Sequence, residues 1–191
     1  FRNIEIVLVD VEGRKDFDES AWSGQFPVRV VSLGRHLNRG EAANLGIANA
    51  LGEYIAFLDD DDWFFANHVA TLVKALQINP NAKAAYGGVD CRTERPDGTW
   101  ETVRIFNEPY DPNRLLIENY LPIHSVIFTS SLLSENLRFD ESLNVYEDWD
   151  FWIQLSQLTD FIHIDQLTAV YRISTTSGLA VRDGEPEALL G

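Results

Sequence analysis

Methionine is absent from this chain, and cysteine occurs once, at Cys91. A lone cysteine leaves no intrachain disulfide, a pattern that fits a reducing compartment such as the cytoplasm. Long apolar runs are missing too. Nothing approaches the ~18 residues that a membrane span needs, and no signal-peptide pattern opens the sequence. Basic residues are scarce: Lys and Arg total 15 against 30 Asp and Glu, a formal net charge of -15. A duplex-binding protein needs clustered cations to neutralise phosphates, so nucleic acid is not an expected partner. An anionic membrane surface is disfavoured on the same ground. An acidic protein that handles a phosphorylated ligand needs help, which a bound divalent cation can supply. The missing methionine, and a start at Phe1 directly before an apolar stretch, read as a piece of a longer protein.

What is present is enough apolar material for a core, 45% of 191 residues, and a length that fits one domain. Ile4 to Asp10 (IEIVLVD) is a nearly continuous apolar run, as expected of a strand buried on both faces. Val11 to Pro27 is polar and reads as a loop with room for a short helix. Val28 to Leu33 is a second strand. Gly40 to Leu51 reads as a helix, with Ala43, Ile47, Ala50 and Leu51 at helical spacing, Asn38 as cap and Gly52 as stop. Tyr54 to Leu58 (YIAFL) is a third strand. Phe65 to Asn79 carries an apolar stripe of Phe65, Val69, Leu72, Val73 and Leu76, with Pro80 beyond its end. Strands follow at Lys83 to Thr93 and Trp100 to Phe106, around the turn Pro96-Asp97-Gly98. A short helix at Asp111 to Asn119, a strand at Ile123 to Thr129, a helix at Glu147 to Leu158 and a strand at Thr168 to Ile173 complete the reading. The stretch from Thr175 has no periodicity and reads as a tail. Alternating strands and helices predict an α/β sandwich, in which ligands bind beyond the carboxyl ends of the strands. Asp10 and Asp59 to Asp62 stand at two such ends and are expected on one rim.

Four adjacent carboxylates repel unless something cationic neutralises them. Hard oxygen ligands of this charge suit Mg²⁺ or Mn²⁺, which take one or two carboxylates plus substrate phosphates. The plain alternative is a solvated turn in which Asp62 caps the following helix. A calcium-binding EF-hand loop is excluded, because its glycine position falls on Phe64 and its last glutamate on Ala70. The second constellation is Tyr146-Glu147-Asp148-Trp149-Asp150. Acidic residues suit a helix start, but Asp148 shares a face with Phe151, Leu155 and Leu158. A carboxylate there can line a pocket floor and act as general base. His124 reads as a hydrogen-bonded structural histidine, with an acceptor-side role as the alternative. Trp63, Trp149 and Trp152 can stack on sugars but pack a core equally well. Cys91 reads as a small buried hydrophobe.

Three stretches occur in order: IEIVLVDVEGRKD, then NRGEAANLGIANALGEYIAFLDDDDW, then FDESLNVYEDWDFWIQL. Together they resemble the family 2 glycosyltransferases, over roughly residues 1–173. The resemblance implies the GT-A fold, a mixed and mostly parallel sheet flanked by helices in a Rossmann-like sandwich. It implies transfer of a sugar from a nucleotide-diphosphate donor to an acceptor hydroxyl, with inversion and with Mn²⁺ or Mg²⁺. Cell-surface polysaccharide is the product class that goes with it, made in the cytoplasm or at the inner face of a membrane. Position by position, Asp61 matches the metal ligand of the family's Asp-x-Asp. Asp59, with Asp60, matches residues that hold the nucleotide sugar, as do Asp10 and Asn38. Asp148 matches the catalytic base and Glu147 its partner. The sequence departs from the family at Val11, where a second acid is usual, at Glu12-Gly13-Arg14, at Ala43 before Asn44, and after Tyr171-Arg172, where no histidine follows. Asp16 fits a further family aspartate. The family's usual first strand does not precede Phe1, so the unit is expected to lack it. Two other readings share these residues: the same fold with catalysis lost, as a nucleotide-sugar-binding module, and a nucleotidyltransferase, which needs no base at Asp148.

Overall fold

The computed structural model describes residues 3–14 and 24–173. Asp16, much of the expected loop between Val11 and Pro27, and the tail from 174 lie outside them.

The chain begins with two short parallel strands, β1 (Ile6–Val9) and β2 (Val28–Val31), which form a sheet of their own. Helix α1 (Arg39–Asn49) follows and packs against both. A larger, six-stranded sheet contains β3 (Tyr54–Ala56), β4 (Trp63–Phe64), β5 (Ala84–Glu94), β6 (Trp100–Phe106), β7 (Val126–Thr129) and β8 (Phe161–Arg172). Its order is β3-β7-β5-β8-β4, with β6 joined to β5. The sheet is mixed, as expected. It is not mostly parallel: β5 pairs with β8 parallel, whereas β3–β7, β4–β8, β5–β6 and β5–β7 are antiparallel. The expectation came from the alternating strands and helices of the first half. Only β5 and β6 are joined by a hairpin, while the other antiparallel pairs bring together strands far apart in the chain, which the alternation of the first half does not reveal.

Three helices complete the described chain: α2 (His68–Ile78), α3 (Pro112–Leu115) and α4 (Glu147–Ser156). The central strands divide the core by alternation, since successive side chains point to opposite faces. Ala84 and Tyr86 of β5, with Val126 and Phe128 of β7, face Phe151, Trp152 and Leu155 of α4. Ala85 and Ile127 face Leu72, Val73 and Leu76 of α2. Trp152 is fully buried and its indole N–H donates to the Leu121 carbonyl at 3.0 Å, so it belongs to the core. Cys91 is buried as well, and burial pushes its thiol up to about 12, leaving it unreactive.

Gly87 and Gly88 mark where β5 shifts register against β8. A Cβ on Gly87 would lie 2.3 Å from Thr168 Oγ1, and one on Gly88 would lie 2.6 Å from Asn107 Oδ1. A side chain at Gly87 would press on buried Thr168, while one at Gly88 would have to displace the end of the Asn107 side chain.

Some element limits differ from the sequence reading. Trp63 and Phe64 form a strand against Val170 and Ala169, so α2 starts at His68 with Asn67 before it. Asp62 therefore does not cap that helix. The residues Ile123–Ser125 form a 3-10 turn, which moves His124 off the strand. Strand β8 starts seven residues earlier than Thr168, at Phe161. Leu158 lies beyond the end of α4 and is exposed, so it does not share the buried face.

Candidate functional site

Helix α1 begins with a complete capping box. Asn38 accepts the Glu41 N–H at 2.8 Å, and Glu41 accepts the Asn38 N–H at 3.0 Å. Arg35 also binds Glu41, and these hydrogen bonds hold the Glu41 carboxyl down to about 2. The cap serves more than the helix. The Asn38 side-chain N–H donates to the Glu141 carbonyl at 2.8 Å. One turn on, Asn44 accepts the Phe139 N–H and donates to the Phe139 carbonyl, each at 3.0 Å. A Cβ on Gly40 would stand 3.0 Å from the Asp140 carbonyl oxygen, so the missing side chain lets this segment lie flat on the helix. The stretch leading into α4 is thus pinned to the start of α1.

The chain after β3 is brought in by aromatic rings. Phe57 meets Phe139 edge-on at 5.3 Å, and Phe139 stacks on Phe151 of α4 at 4.1 Å. The loop carrying the aspartates, the segment 139–141 and the start of α4 therefore form one assembly.

Within it, oxygens of Asp59, Asp61 and Asp62 all lie within 4.8 Å of one another. Such a set of hard carboxylate oxygens fits Mg²⁺ or Mn²⁺. The three differ in setting. Asp61 is exposed. Asp59 is half-buried, and desolvation pushes its carboxyl up, helped by Asp62 and Asp61 and opposed by Arg39 and His124. Asp62 is buried and engaged: Oδ1 accepts the Arg172 N–H of β8 at 2.8 Å, and Oδ2 lies 3.0 Å from His124 Nδ1. The His124 pairing has ion-pair separation without good hydrogen-bond alignment. His124 is fully buried and stacked on Tyr171 at 5.6 Å, but neither ring nitrogen has a hydrogen-bond partner among the described residues, so it is buried without the hydrogen bonds expected of it. Asp60 is exposed and outside the three-carboxylate group.

Glu147 and Asp148 open α4, directly after Tyr146, whose φ of 64° is left-handed. A non-glycine residue holds that conformation at a cost of about 1–3 kcal/mol, which the surrounding packing must overcome. Glu147 is buried, and its carboxylate lies 3.5 Å from the Arg39 guanidinium of α1. Asp148 is half-buried and accepts a hydrogen bond from the Asn119 side chain at 3.1 Å. Tyr146 and Trp149 meet edge-on at 5.7 Å beside it, and the Trp149 indole N–H donates to the Leu115 carbonyl at 2.6 Å.

Asp10 stands at the end of β1, as expected. Its carboxylate accepts the Gly13 N–H at 2.9 Å and the Ser32 hydroxyl at 3.0 Å, tying the strand end to its own loop and to β2. Trp63 packs edge-on against Trp100 at 5.2 Å. The sequence reading missed Arg39. Partial desolvation disfavours its charge, yet the carboxylates of Asp59 and Glu147, with Tyr171, hold its pKa above the usual guanidinium value. No local signal marks this residue, since its partners lie 20 and 108 positions away.

Three comparisons bear on this arrangement. The model of the family "Glycosyl transferase family 2" matches residues 1–137. An uncharacterized glycosyltransferase of Haemophilus influenzae is 25% identical over 160 residues, covering 83% of this chain and 54% of its own length. One from Rickettsia conorii is 29% identical over 178 residues, covering 91% of this chain and 28% of its own. The chain therefore spans about half, or less, of these relatives. Among solved structures, Staphylococcus aureus TarS 1-349 in complex with UDP-GlcNAc aligns with a TM-score of 0.64 at 14% identity, over 92% of this chain and 60% of that one. A mannosyltransferase of Pyrobaculum calidifontis, in complex with GDP-Man and Mn²⁺, aligns at 0.58 and 16%, over 93% and 50%. At such identity these two speak for the fold. Among the described residues, no helix is long and apolar enough to cross a membrane.

Proposed function

The chain belongs to glycosyl transferase family 2, and from that premise we propose that it moves a sugar from a nucleoside-diphosphate donor to an acceptor hydroxyl, with inversion. The observation that carries this reading is the convergence at the start of α1. There the aspartate loop and the Glu147-Asp148 pair, 88 residues apart from Asp59 to Glu147, are held in one assembly.

Asp61 is the metal ligand in this reading, with Asp59 beside it, and the ion is Mn²⁺ or Mg²⁺. The bound ion supplies charge stabilisation to the diphosphate as the sugar leaves. Asp59 and Asp60 line the donor side, and Asp10 shapes the loop that receives the nucleotide. Asn38 acts through the loop it holds, because its side chain is committed to the helix cap and to the Glu141 carbonyl. Asp148 takes the proton from the acceptor hydroxyl, which is a poor nucleophile until a base does so. Glu147 faces Arg39, so one carboxylate serves the acceptor, and a single displacement with inversion follows. Holding donor and acceptor in line provides much of the remaining acceleration. The single cysteine, buried, suits work in the cytoplasm.

The donor complexes of the two structural neighbours, with UDP-GlcNAc and with GDP-Man and Mn²⁺, support the donor class. Calorimetry with UDP and GDP, with and without Mn²⁺, tests the site: affinity should require the ion and vanish in Asp61→Ala. Proton NMR of the first-formed product tests the stereochemistry, and a retained anomer would refute the single displacement.

A further inference from the structure

We propose that Arg39 is the chain's own cation for the donor's diphosphate, lying over Glu147 and poised to bind the phosphates. The inference rests on the donor reading above and adds the group that recognises the diphosphate.

The argument starts from charge. The protein carries -15 overall; Asp59, Asp61 and Asp62 lie together, and Arg39 feels both Asp59 and Glu147. The donor's diphosphate carries two negative charges and gains a third as the sugar leaves, one more than a divalent ion supplies, so a positive side chain has a charge left to answer. Two basic side chains act on Asp59: His124 and Arg39. His124 is fully buried behind Asp62 and cannot meet a ligand. The Arg39 side chain is 64% exposed, while the Glu147 side chain it faces is only 6% exposed. Arg39 therefore lies over a buried carboxylate with its outer face open.

Its hold on Glu147 is loose. The closest separation is 3.5 Å, beyond the 2.7–2.9 Å or so of a strong charge-assisted hydrogen bond. A guanidinium has five N–H donors in a planar fork that matches two phosphate oxygens, and contact with Glu147 satisfies few of them. The backbone beneath is fixed, because Arg39 is the first residue of a helix whose cap and neighbouring glycine are both packed. Arg39 thus has a rigid base, guanidinium donors with room for a ligand among the described residues, and the charge of both donor-side Asp59 and base-side Glu147 acting on it. Diphosphate is the ligand chemistry that answers all three.

The test is calorimetry in Mn²⁺ on wild type, Arg39→Gln and Arg39→Lys, with UDP and GDP as probes and UMP and GMP as comparisons. Arg39→Gln should weaken the preferred nucleoside diphosphate about tenfold to hundredfold, the loss expected for hydrogen bonds to charged groups. The matching monophosphate should change by about twofold at most. Arg39→Lys should recover part of the loss, since it keeps the charge but not the fork. Arg39→Gln leaves the buried Glu147 carboxylate without its cation, so a lower melting temperature is expected there but not in Arg39→Lys, and binding is read well below either transition. Equal weakening of diphosphate and monophosphate, or no weakening, would overturn the role of Arg39 while leaving the donor reading intact. If wild type binds neither UDP nor GDP with Mn²⁺, both fall together.

Discussion

Asp61 and Asp62 are adjacent in sequence, yet one is exposed and the other buried, and truncating each to alanine separates the ligand role proposed for Asp61 from the structural role of Asp62. Asp62→Ala removes the partner of the backbone N–H at Arg172. That group would be left orphaned, at about 1–3 kcal/mol. This is a sizeable share of the roughly 5–15 kcal/mol that stabilises a folded domain. For a domain of 150–250 residues each kcal/mol moves the melting temperature by about 2–4 °C, so the drop should be on the order of 5 °C. Asp62→Asn should fall less, because its amide oxygen can still accept the Arg172 N–H. Asp61 is exposed, so Asp61→Ala should stay within about 0.5 kcal/mol of wild type. Loss of one negative charge from a crowded group favours a slight rise. Thermal denaturation by circular dichroism, repeated with Mn²⁺ and UDP or GDP, reads both tasks. Asp61→Ala should melt like wild type but lose the ligand-induced rise. The reasoning is refuted if Asp62→Ala melts like wild type, or if Asp61→Ala falls as far as Asp62→Ala.

Asp148→Asn should keep fold and nucleoside-diphosphate affinity but lose about 10²–10⁴ in turnover, which a donor-to-acceptor transfer assay measures; near-normal turnover would make Asp148 a structural residue. His68 is buried, and desolvation holds it down to about 4. Because its folded pKa lies below the unfolded value, its neutral form supports stability fully above about pH 6.5. That support is lost as pH falls toward 4, by up to about 3 kcal/mol. Urea midpoints at pH 7 and pH 5 should differ more for wild type than for His68→Asn, and equal differences would count against the account. Asn44→Ala removes both hydrogen bonds to the Phe139 backbone. It should lower stability by about 1–3 kcal/mol and lower turnover as well, because the segment entering α4 loses its clamp; unchanged turnover would show that the clamp does not position Asp148.

Local patterns were legible in the sequence. The cap at Asn38, the helix it starts, and the hairpin around Pro96-Asp97-Gly98 all follow from contacts a few residues apart. The acidic cluster and the Glu147-Asp148 pair could be singled out for the same reason. Less legible was whatever depends on chain segments about a hundred residues apart. Asp62 looks like a helix cap until β8 supplies the Arg172 N–H. Arg39 looks like an ordinary turn residue until Glu147 is folded beneath it. The first half of β8 was missed because His163, Asp165 and Gln166 interrupt its apolar pattern where that strand is less buried. The strand Trp63–Phe64 falls outside every element read from the sequence, because two residues leave no alternation to detect.

The hydrogen bonds that build the site have a consequence for how it comes into being. Asn38 to Glu141, Asn44 to Phe139 and Asp62 to Arg172 join residues separated by 103, 95 and 110 positions. Long loops must close before any of them can form, and contacts of such sequence separation slow folding. On the ribosome the aspartate loop leaves the tunnel well before Arg172 is made. Until β8 docks, the Asp62 carboxylate lacks the Arg172 N–H that holds it. Under the proposed metal site, capacity to hold the ion should therefore appear abruptly once β8 has been made, with its docking as the step that switches it on.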